Sequence, residues 1–478
     1  MKISELKKFG KLLNFSEDKE ITGISYDSRK VKRGDLFVAL VGRNFDGHNF
    51  VDEALKRGAF AAIVSKRLQI PIPQLLVNDT REIMAHISAY FFQYPSKYLK
   101  VTGITGTNGK STTTFIIHNA LKLLHKKSSL LGTIGYEIID KFIKAERTTP
   151  EAPDIQRFMF ETWKNGGEFF NMEVSSQSVC EKRIKDIEFN SAIFTNLSRE
   201  HLEYHKTFEN YKKAKINFFQ EASRLGAMAF VNIDDPYHRV FIDAFLEFGG
   251  EKLFTYGVNK NADFTAVNIE LSIQGSTFFI KHKGDKYHIF SKLIGMHNVY
   301  NLLAAFCVLI NYGLDPFLVS DAISKISQIP GRLERIVRND VNFFIDYAHT
   351  PEALKIVLNH LKRLSNNRLI LVFGAGGDRD ARKRPLMGSI ASELADFIIL
   401  TSDNPRNEDP LKIVKDIEAG ITSNNYTIEI DREKAIRMAY SIANAGDIIL
   451  VAGKGHEEYQ EIKGKKYHFS DKEVILAL

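Results

Sequence analysis

Residues 98–124 read YLKVTGITGTNGKSTTTFIIHNALKLL, a strand candidate followed by a glycine-rich loop and a helix candidate. Residues 98–105 are a strand candidate that runs into the loop, and apolar residues at helical spacing later in the segment predict the helix. In the loop 103–111, glycines let the backbone wrap closely around a phosphate, and the start of the helix offers free N–H donors. The Lys110 ammonium can then reach the β- and γ-phosphates, and the Ser111 hydroxyl can reach Mg²⁺. The segment therefore predicts binding of a nucleoside triphosphate.

The spacing of the loop glycines departs from the standard phosphate-loop pattern. That pattern places a glycine five residues before Gly109, where this chain has Ile104, and Gly103 and Gly106 flank the position instead. The alternative is a glycine-rich turn that happens to precede Lys-Ser. We favour phosphate binding because the loop lies between a strand and a helix.

Short apolar strands alternate with longer helical segments along most of the chain, which indicates an α/β fold built on parallel sheets. At roughly 150 residues per domain, a chain of 478 residues suggests three domains. Turn residues at 94–96 and 330–331 mark the boundaries, so that the predicted domains are 1–97, 98–330 and 331–478. We expect a small N-terminal α/β domain, a central mononucleotide-binding α/β domain of the phosphate-loop type and a C-terminal Rossmann-like α/β domain.

The composition, with 44% hydrophobic and 26% charged residues, is that of an ordinary globular protein. The net charge of +7 is spread thinly and forms no basic tail, so we expect no nucleic-acid partner. Cys180 and Cys307 have neither CxxC nor zinc-ligand spacing, and such usage fits a reducing cytosol. The N-terminal sequence lacks a signal-peptide core, and no apolar run nears the ~20 residues that span a bilayer. We therefore expect a cytoplasmic protein without membrane insertion.

The phosphate loop and several further motifs resemble those of the Mur ligases, which build the peptide stem of bacterial peptidoglycan. The loop TGTNGKST (105–112) is similar to their ATP loop, which has the same offset glycine. Further similar motifs follow in order along the chain: DSR (27–29), TTP (148–150), EVSS (173–176), NLSREH (196–201), GRLE (331–334), DYAHTP (346–351), DNPR (403–406) and GKGHE (453–457). The resemblance covers essentially the whole chain and points to the branch that adds the third amino acid of the stem.

The resemblance implies an ATP-dependent amide ligase of peptidoglycan biosynthesis. In such an enzyme ATP phosphorylates a carboxylate of UDP-N-acetylmuramoyl-L-alanyl-D-glutamate, and an amine of meso-2,6-diaminopimelate attacks the resulting acyl phosphate. We expect only small-molecule partners, namely the UDP-muramoyl dipeptide, the diamino acid and ATP, and we expect a monomer.

Glu173, His201 and Lys215 are similar in position to the family's metal-site residues, and with Ser111 they would hold Mg²⁺. Without the resemblance, Glu173 could equally be an edge residue, His201 a structural histidine and Lys215 a solvated helix lysine. The resemblance implies that Lys215 carries a carbamate derived from CO₂, and that these three residues and Lys110 are catalytic. An ammonium cannot bind Mg²⁺, whereas a carbamate offers the hard oxygen ligands that Mg²⁺ takes. Its formation requires a neutral amine, which a desolvated lysine can supply.

The remaining ATP contacts also come from the resemblance. They are Gly106, Thr107, Asn108, Gly109, Lys110, Ser111, Thr112, Asn298 and Asn301 in the central domain, and Arg332, Asp346 and His349 in the C-terminal domain. An arginine that reaches in from another domain can stabilise the charge on a transferring phosphate. For Asn301, helix capping or a core hydrogen bond is the alternative.

The UDP-linked substrate is expected at the N-terminal domain and the adjoining face of the central domain. The positions similar to the family's site are Ser28, Arg43, Asn44, Phe45, Thr148, Thr149, Ser175 and Arg183. Two positions depart from the family pattern: Arg147 stands where asparagine is common, and Glu181 stands where glutamine is common. Both could reshape the contacts to the substrate without changing the reaction.

The diamino acid is expected at the C-terminal domain, because the tetrad DNPR (403–406) resembles that of family members accepting meso-diaminopimelate. The residues implied are Arg379, Asp403, Asn404, Pro405, Arg406, Gly453 and Glu457. Arg406 would bind the distal carboxylate through paired hydrogen bonds, with help from Arg379. Asp403 and Glu457 would bind the distal ammonium. Lysine would leave Arg406 without its anion, which gives selectivity. The loop GAGGDR (374–379) is not a dinucleotide motif, since Arg379 stands where GxGxxG needs glycine.

Three alternatives stay open at this level. Some related enzymes add lysine or ornithine instead of diaminopimelate. A folylpolyglutamate synthetase-like ligase would share the fold, although the first domain and the tetrad 403–406 argue against it. A nucleotide-gated binding protein without chemistry is the third, and Glu173, His201 and Lys215 argue against that.

Overall fold

The computed structural model describes residues 1–42, 45–364 and 367–478. By the contacts between their backbones, the residues divide into two compact units, Met1–Thr265 with Tyr300–Val319, and Ala266–Val299 with Ser320–Leu478. Residues 266–299 therefore cluster with the C-terminal part of the chain, although the predicted central domain includes them. The boundaries at 97/98 and 330/331 stay predictions. Within the described residues, no helix is long and apolar enough to cross a membrane.

The first unit begins with a five-stranded sheet. Its elements are β1 (Lys11–Leu13), β2 (Gly23–Ser25), β3 (Asp35–Val38), β4 (Ala61–Val64) and β5 (Gln74–Leu76), with helices α1 (Val51–Lys56) and α2 (Thr80–Phe91). The order is β1-β5-β4-β3-β2, with only β1 antiparallel to its neighbour. Buried apolar clusters on both faces, such as those around Leu36 and Phe37, stabilise the sheet.

The phosphate loop belongs to a second sheet of the same unit. The strands of this sheet that lie wholly within the unit are β6 (Lys100–Thr105), β7 (Ser128–Leu131), β8 (Tyr136–Ile138), β9 (Lys141–Ile143), β10 (Phe169–Glu173), β11 (Ser191–Phe194), β12 (Met228–Asn232) and β13 (Lys252–Gly257). Their order is β13-β12-β11-β6-β10-β7-β8-β9, parallel from β13 to β7. The helices are α3 (Lys110–Leu123), α4 (Ala152–Lys164), α5 (Ser176–Cys180), α6 (Leu202–His205), α7 (Phe208–Arg224) and α8 (His238–Glu247). Strand β6 thus lies between β10 and β11, so their C-terminal ends meet at one edge.

Three elements cross from one unit into the other: β14 (Phe264–Ser272), α9 (Met296–Asn311) and α10 (Pro316–Ser324). In the second unit, β15 (Gly275–His282) and β16 (Asp285–Ser291) form an antiparallel hairpin. The alternation of side chains along these strands, buried and then accessible, explains why they are stable with one face toward solvent.

The second unit contains a six-stranded, mostly parallel sheet. Its strands are β17 (Glu334–Arg338), β18 (Val341–Asp346), β19 (Leu369–Phe373), β20 (Phe397–Leu400), β21 (Tyr426–Ile428) and β22 (Ile448–Ala452), in the order β17-β18-β22-β19-β20-β21. The hairpin β23 (Tyr459–Ile462) and β24 (Lys465–His468) follows. The helices are α11 (Pro351–Leu364), α12 (Lys383–Leu394), α13 (Pro410–Glu418), α14 (Arg432–Ile442) and α15 (Asp471–Leu476). Because both faces are covered, β19 and β22 are apolar and buried throughout. The predicted α/β class is confirmed.

Candidate active site

The loop 106–109 joins the end of β6 to the start of α3, as the sequence predicted. Gly106 and Gly109 have positive φ angles of 150° and 88°, a backbone conformation that favours glycine. The Lys110 ammonium folds over the loop and donates to the carbonyl of Gly106 at 2.9 Å and to that of Thr107 at 2.8 Å. The loop and the first turn of α3 therefore carry a cation where a phosphate would bind.

The residues that follow β11 form hydrogen bonds to the phosphate loop and fix its conformation. Asn196 accepts from the backbone N–H of Asn108 at 2.9 Å and donates to its carbonyl at 3.0 Å. The Thr195 hydroxyl donates to the same carbonyl at 2.7 Å, and the Ser198 N–H donates to the Thr107 hydroxyl at 2.9 Å. The sequence analysis did not identify Thr195 and Asn196 as residues that position the loop. Two signals could have identified them: their place directly after an apolar strand, and the motif NLSREH, which begins at Asn196.

We expect Gly106→Ala to weaken ATP binding. An added Cβ would lie 1.9 Å from the Thr195 hydroxyl oxygen and 3.0 Å from the Asn196 carbonyl, so the loop must move. Strain of about 1–3 kcal/mol in the bound conformation should raise the KM for ATP roughly tenfold. Gly226→Ala is the matched control, because Gly226 also has positive φ (76°) but no atom near its Cβ position. A KM for ATP equally unchanged in both variants would contradict this role of Gly106.

Lys215 lies on α7 and its side chain is fully buried beside the phosphate loop. Its Nζ donates to the Gly106 carbonyl at 2.7 Å, the oxygen that also accepts from Lys110, and lies 3.4 Å from the Thr105 hydroxyl. Burial, and then the positive charge of Lys110, lower the pKa of Lys215 well below its usual value. The predicted alternative of a solvated helix lysine is wrong, since this amine is held in the interior.

His201 lies at the N-terminus of α6 with an αL backbone, and its side chain is exposed. Its imidazole is 3.8 Å from the Glu200 carboxylate and 3.5 Å from that of Glu203. The ring centroid is 6.1 Å from that of Tyr211, whose hydroxyl lies 3.0 Å from the Thr107 hydroxyl. The structure therefore places His201 near Tyr211, a residue that contacts the phosphate loop.

Glu173 ends β10, the neighbour of β6, and its side chain is buried. Its carboxylate accepts from the Thr133 N–H at 2.6 Å, and the Thr133 hydroxyl lies 2.9 Å from that of Thr148. A Cβ on Gly132 would approach the carboxylate to 2.3 Å. The glycine thus leaves room for the acid, and Thr133 is a further residue that the sequence analysis missed.

The predicted metal-site residues offer a suitable set of ligands for Mg²⁺ only if Lys215 carries a carbamate. Among the described residues, no three histidine, cysteine, aspartate or glutamate side chains are grouped so as to hold a metal. Glu173 supplies a carboxylate and Ser111 a hydroxyl, which suit a hard cation, and His201 supplies an imidazole. Lys215 is no ligand as an amine, but as a carbamate it would add two oxygens. The donor chemistry is therefore suitable for Mg²⁺ once Lys215 is carbamylated.

The predicted UDP-site residues are described only in part. Ser28 begins a short 3₁₀ helix and donates to the Glu53 carboxylate at 3.0 Å. Phe45 is exposed. Arg43 and Asn44 lie outside the described residues.

Thr149, Ser175 and Arg183 are brought together at the start of α5. The Thr149 hydroxyl donates to that of Ser175 at 3.2 Å, and Arg183 donates to the Thr149 carbonyl at 2.9 Å. The Arg183 guanidinium is buried, lies 3.2 Å from the Glu151 carboxylate and donates to that of Glu181 at 2.5 Å. The departure from the family pattern at position 181 thus places a carboxylate against this arginine, where an amide would make a weaker contact.

The two asparagines of α9 fall in different units. Asn301, in the first unit, is buried and its amide oxygen accepts from the Thr113 hydroxyl at 3.2 Å. This is the core hydrogen bond that the alternative interpretation expects. Asn298, in the second unit, donates to the Ile294 carbonyl at 2.9 Å. It lines a cavity of about 430 Å³ together with Arg332.

Arg332, Asp346 and His349 lie together in the second unit. The Asp346 carboxylate accepts from the Leu333 N–H at 2.8 Å, and burial raises its pKa. The Arg332 guanidinium stacks on the Tyr347 ring at 5.1 Å, and the His349 Nδ1 lies 2.7 Å from the Tyr347 carbonyl. The three side chains are therefore held around a single turn that follows β18.

The predicted amino-acid site lies at the C-terminal ends of β20 and β22. Asp403, Asn404 and Pro405 are buried after β20. Asn404 donates to the Glu457 carboxylate at 2.8 Å. Gly453 follows β22, and a Cβ there would lie 2.4 Å from the Asp403 carboxylate. The structure thus gathers these acids at one edge of the sheet.

Arg406 is held by the glycine loop that follows β19. Its guanidinium donates to the Gly377 carbonyl at 2.6 Å and lies 3.4 Å from the Glu461 carboxylate. A Cβ on Gly376 would lie 3.0 Å from Arg406 and 3.8 Å from the exposed Arg379. Two arginines therefore flank the same glycine.

The chain matches three Mur ligase family descriptions: "Mur ligase family, catalytic domain" over residues 20–97, "Mur ligase middle domain" over 104–309 and "Mur ligase, glutamate ligase domain" over 331–455. The UDP-N-acetylmuramoyl-L-alanyl-D-glutamate--2,6-diaminopimelate ligase 1 of Clostridium acetobutylicum is 42% identical over 95% of this chain and 94% of its own. The ligase of the same name from Aquifex aeolicus is 42% identical over 96% of this chain and 93% of its own.

A solved structure of a ligase with that name is also similar. It is 34% identical and superposes with a TM-score of 0.71 over 100% of this chain and 98% of that one. The family resemblance of the motifs is therefore confirmed over nearly the whole chain, and the protein belongs to the Mur ligase family.

Proposed function

We propose that this chain is an ATP-dependent ligase that joins meso-2,6-diaminopimelate to UDP-N-acetylmuramoyl-L-alanyl-D-glutamate. The observation that carries the proposal is its identity of 42%, over nearly the full length, to relatives named for that reaction. The local arrangement supports it, since a phosphate loop in one unit and a site of mixed charge in the other supply the two chemistries a peptide ligase needs.

The reaction joins a carboxylate to an amine. A carboxylate is a poor electrophile, so it must be activated before the amine can attack it. A carboxylate oxygen of the dipeptide attacks the γ-phosphorus of ATP, and ADP leaves, which produces an acyl phosphate. The amine then attacks the acyl carbon, phosphate leaves and the nitrogen loses a proton. Negative charge accumulates in both steps, and the Lys110 ammonium, which donates to the Gly106 carbonyl of the loop, would offset it.

Four residues would hold Mg²⁺ near the phosphates, namely Ser111, Glu173, His201 and Lys215 as its carbamate. When bound, Mg²⁺ would supply fixed positive charge to the transferring phosphoryl group. Lys215 is fully buried, so an uncharged amine is favoured there, and its addition to CO₂ would release one proton and give an anionic carbamate. That anion would lie beside the Lys110 ammonium, which would attract it, since both side chains reach the Gly106 carbonyl.

Recognition of the diamino acid is assigned to Arg406 and Arg379 for the distal carboxylate and to Asp403 and Glu457 for the distal ammonium. Arg406 has five N–H donors, and its contacts to Gly377 and Glu461 use only some of them. The remaining donors suit a carboxylate.

Several statements about the protein in the cell stay predictions. These are the cytoplasmic location, the monomeric state, and the absence of nucleic-acid and membrane partners. The N-terminal domain is proposed to bind the UDP moiety, through Ser28 and the loop 43–45.

A coupled ADP-release assay tests the proposal. The protein should release ADP when ATP, Mg²⁺ and UDP-muramoyl-Ala-Glu are combined with meso-diaminopimelate, and turnover with lysine or ornithine should be lower. Faster turnover with lysine would overturn the assigned selectivity. Stimulation by a folate substrate instead would indicate a folylpolyglutamate synthetase-like ligase, and ATP binding without ADP release in any mixture would indicate a binding protein.

A further inference from the structure

Lys454 is a buried lysine beneath the proposed amino-acid site, and it belongs to none of the predicted ligand sets. It follows β22 and its side chain is 0% exposed. Its Nζ donates to the Asn404 amide oxygen at 3.2 Å and to the Tyr459 carbonyl, and it lies 3.5 Å from the Glu457 carboxylate. Burying a charged side chain costs several kcal/mol unless such partners are present, so these contacts decide its position.

The contacts of Lys454 determine which way the Asn404 amide faces. The amide oxygen accepts both from Lys454 and from the backbone N–H of Glu461, the latter at 2.9 Å. A flipped amide would turn its NH₂ group toward these two donors, which is unfavourable. The NH₂ group is thereby directed to Glu457, to which it donates at 2.8 Å.

The same lysine contributes to the charge of the site. Asp403 and Glu457 are accompanied by a fully buried ion pair between Arg432 and Asp471, with N–O distances of 2.7 and 2.8 Å. All four groups interact electrostatically with Lys454. Three carboxylates and two cations leave one negative charge, which suits a single incoming ammonium group. Without Lys454, Glu457 would lose the neighbouring cation, 3.5 Å away, that helps to hold its carboxylate in place.

We propose that Lys454 is a positioning residue for the diamino acid: from beneath the site it fixes the Asn404 amide and the Glu457 carboxylate in the arrangement that receives the distal ammonium of the substrate. This inference rests on the function proposed above and adds to it a residue that sets affinity without touching the substrate. Both contacts from Asn404 and Lys454 fall on the same carboxylate oxygen, Oε2 of Glu457.

Lys454→Met tests the inference, because methionine keeps much of the apolar stem but has no ammonium. Loss of a hydrogen bond to a charged group should raise the KM for diaminopimelate roughly 10- to 100-fold, with the KM for ATP and for the UDP-linked dipeptide within about twofold. Lys412→Met is the matched control, since Lys412 is an exposed lysine on α13. An unchanged KM for diaminopimelate in Lys454→Met would overturn the proposal.

A double-mutant cycle with Asn404→Ala separates positioning from a general structural role. Because Lys454 acts partly through Asn404, Lys454→Met should raise the KM for diaminopimelate by a smaller factor in the Asn404→Ala background than in the wild-type protein. Independent, multiplicative effects would contradict the proposal.

If Lys454→Met does not fold, Asn404→Asp is the second variant that tests the inference. The aspartate can still accept from Lys454 but cannot donate to Glu457, so the KM for diaminopimelate should rise by the same order. No rise would count against the inference. The wild-type protein is assayed in parallel for ADP release with diaminopimelate. If it releases no ADP, the proposed function fails; if it does and the variants behave like it, only the role of Lys454 fails.

Discussion

Lys215→Ala should abolish ADP release while ATP still binds. Lys215 is fully buried and donates to the Gly106 carbonyl, so its carbamate would lie within the phosphate site. Losing a ligand that contributes several kcal/mol of charge stabilisation corresponds to a fall in kcat of roughly a thousandfold or more. ATP affinity should change little, because the loop backbone, Lys110 and the start of α3 remain in place. The measurements are coupled ADP release and calorimetric titration with ATP.

Arg224→Ala is the matched control for Lys215→Ala. Arg224 is an exposed cation at the end of the same helix, where it pairs with Glu221 at 2.9 Å, and its loss should leave kcat within about twofold. Wild-type activity should also fall in buffer depleted of CO₂ and return with bicarbonate, since carbamate formation consumes CO₂. Full activity of Lys215→Ala would eliminate the carbamate role.

Arg406→Ala should remove the preference for diaminopimelate over lysine. The Arg406 guanidinium is about one-fifth exposed and is fixed by the Gly377 carbonyl and the Glu461 carboxylate. Truncating one partner of a largely desolvated charge pair costs about 2–5 kcal/mol, so kcat/KM for diaminopimelate should fall roughly 100-fold or more. Turnover with lysine, which has no distal carboxylate, should change far less. Steady-state kinetics with both amino acids give the ratio.

The control for Arg406→Ala is Arg437→Ala, on the exposed face of α14, where the arginine pairs with Glu433 at 2.8 Å. This variant should keep both the activity and the preference, as exposed helix ion pairs contribute little. An equal loss of activity with lysine and with diaminopimelate in Arg406→Ala would contradict this prediction. It would mean that Arg406 supports the fold of the site and does not bind the distal carboxylate.

Much of the local structure could be predicted from sequence patterns. The strand predicted over 98–105 is β6 (Lys100–Thr105), and the helix begins at Lys110, because glycine content and apolar periodicity are properties of a few consecutive residues. The uninterrupted apolar runs at 397–400 and 369–373 form the strands β20 and β19 for the same reason. Family motifs then placed the candidate site residues, although their roles stay predictions.

The sequence alone therefore established the α/β class, the phosphate loop and the family, each of which depends on neighbouring residues or on short ordered motifs. Only the tertiary structure decided that Lys215 is buried, that Asn196 binds the backbone of Asn108 across 88 positions, and that Lys454 packs beneath Asn404 across 50. Each of these contacts depends on which strands lie side by side in a sheet. Strand order is fixed by how crossover helices cover the two faces, and no spacing within a segment of sequence specifies it.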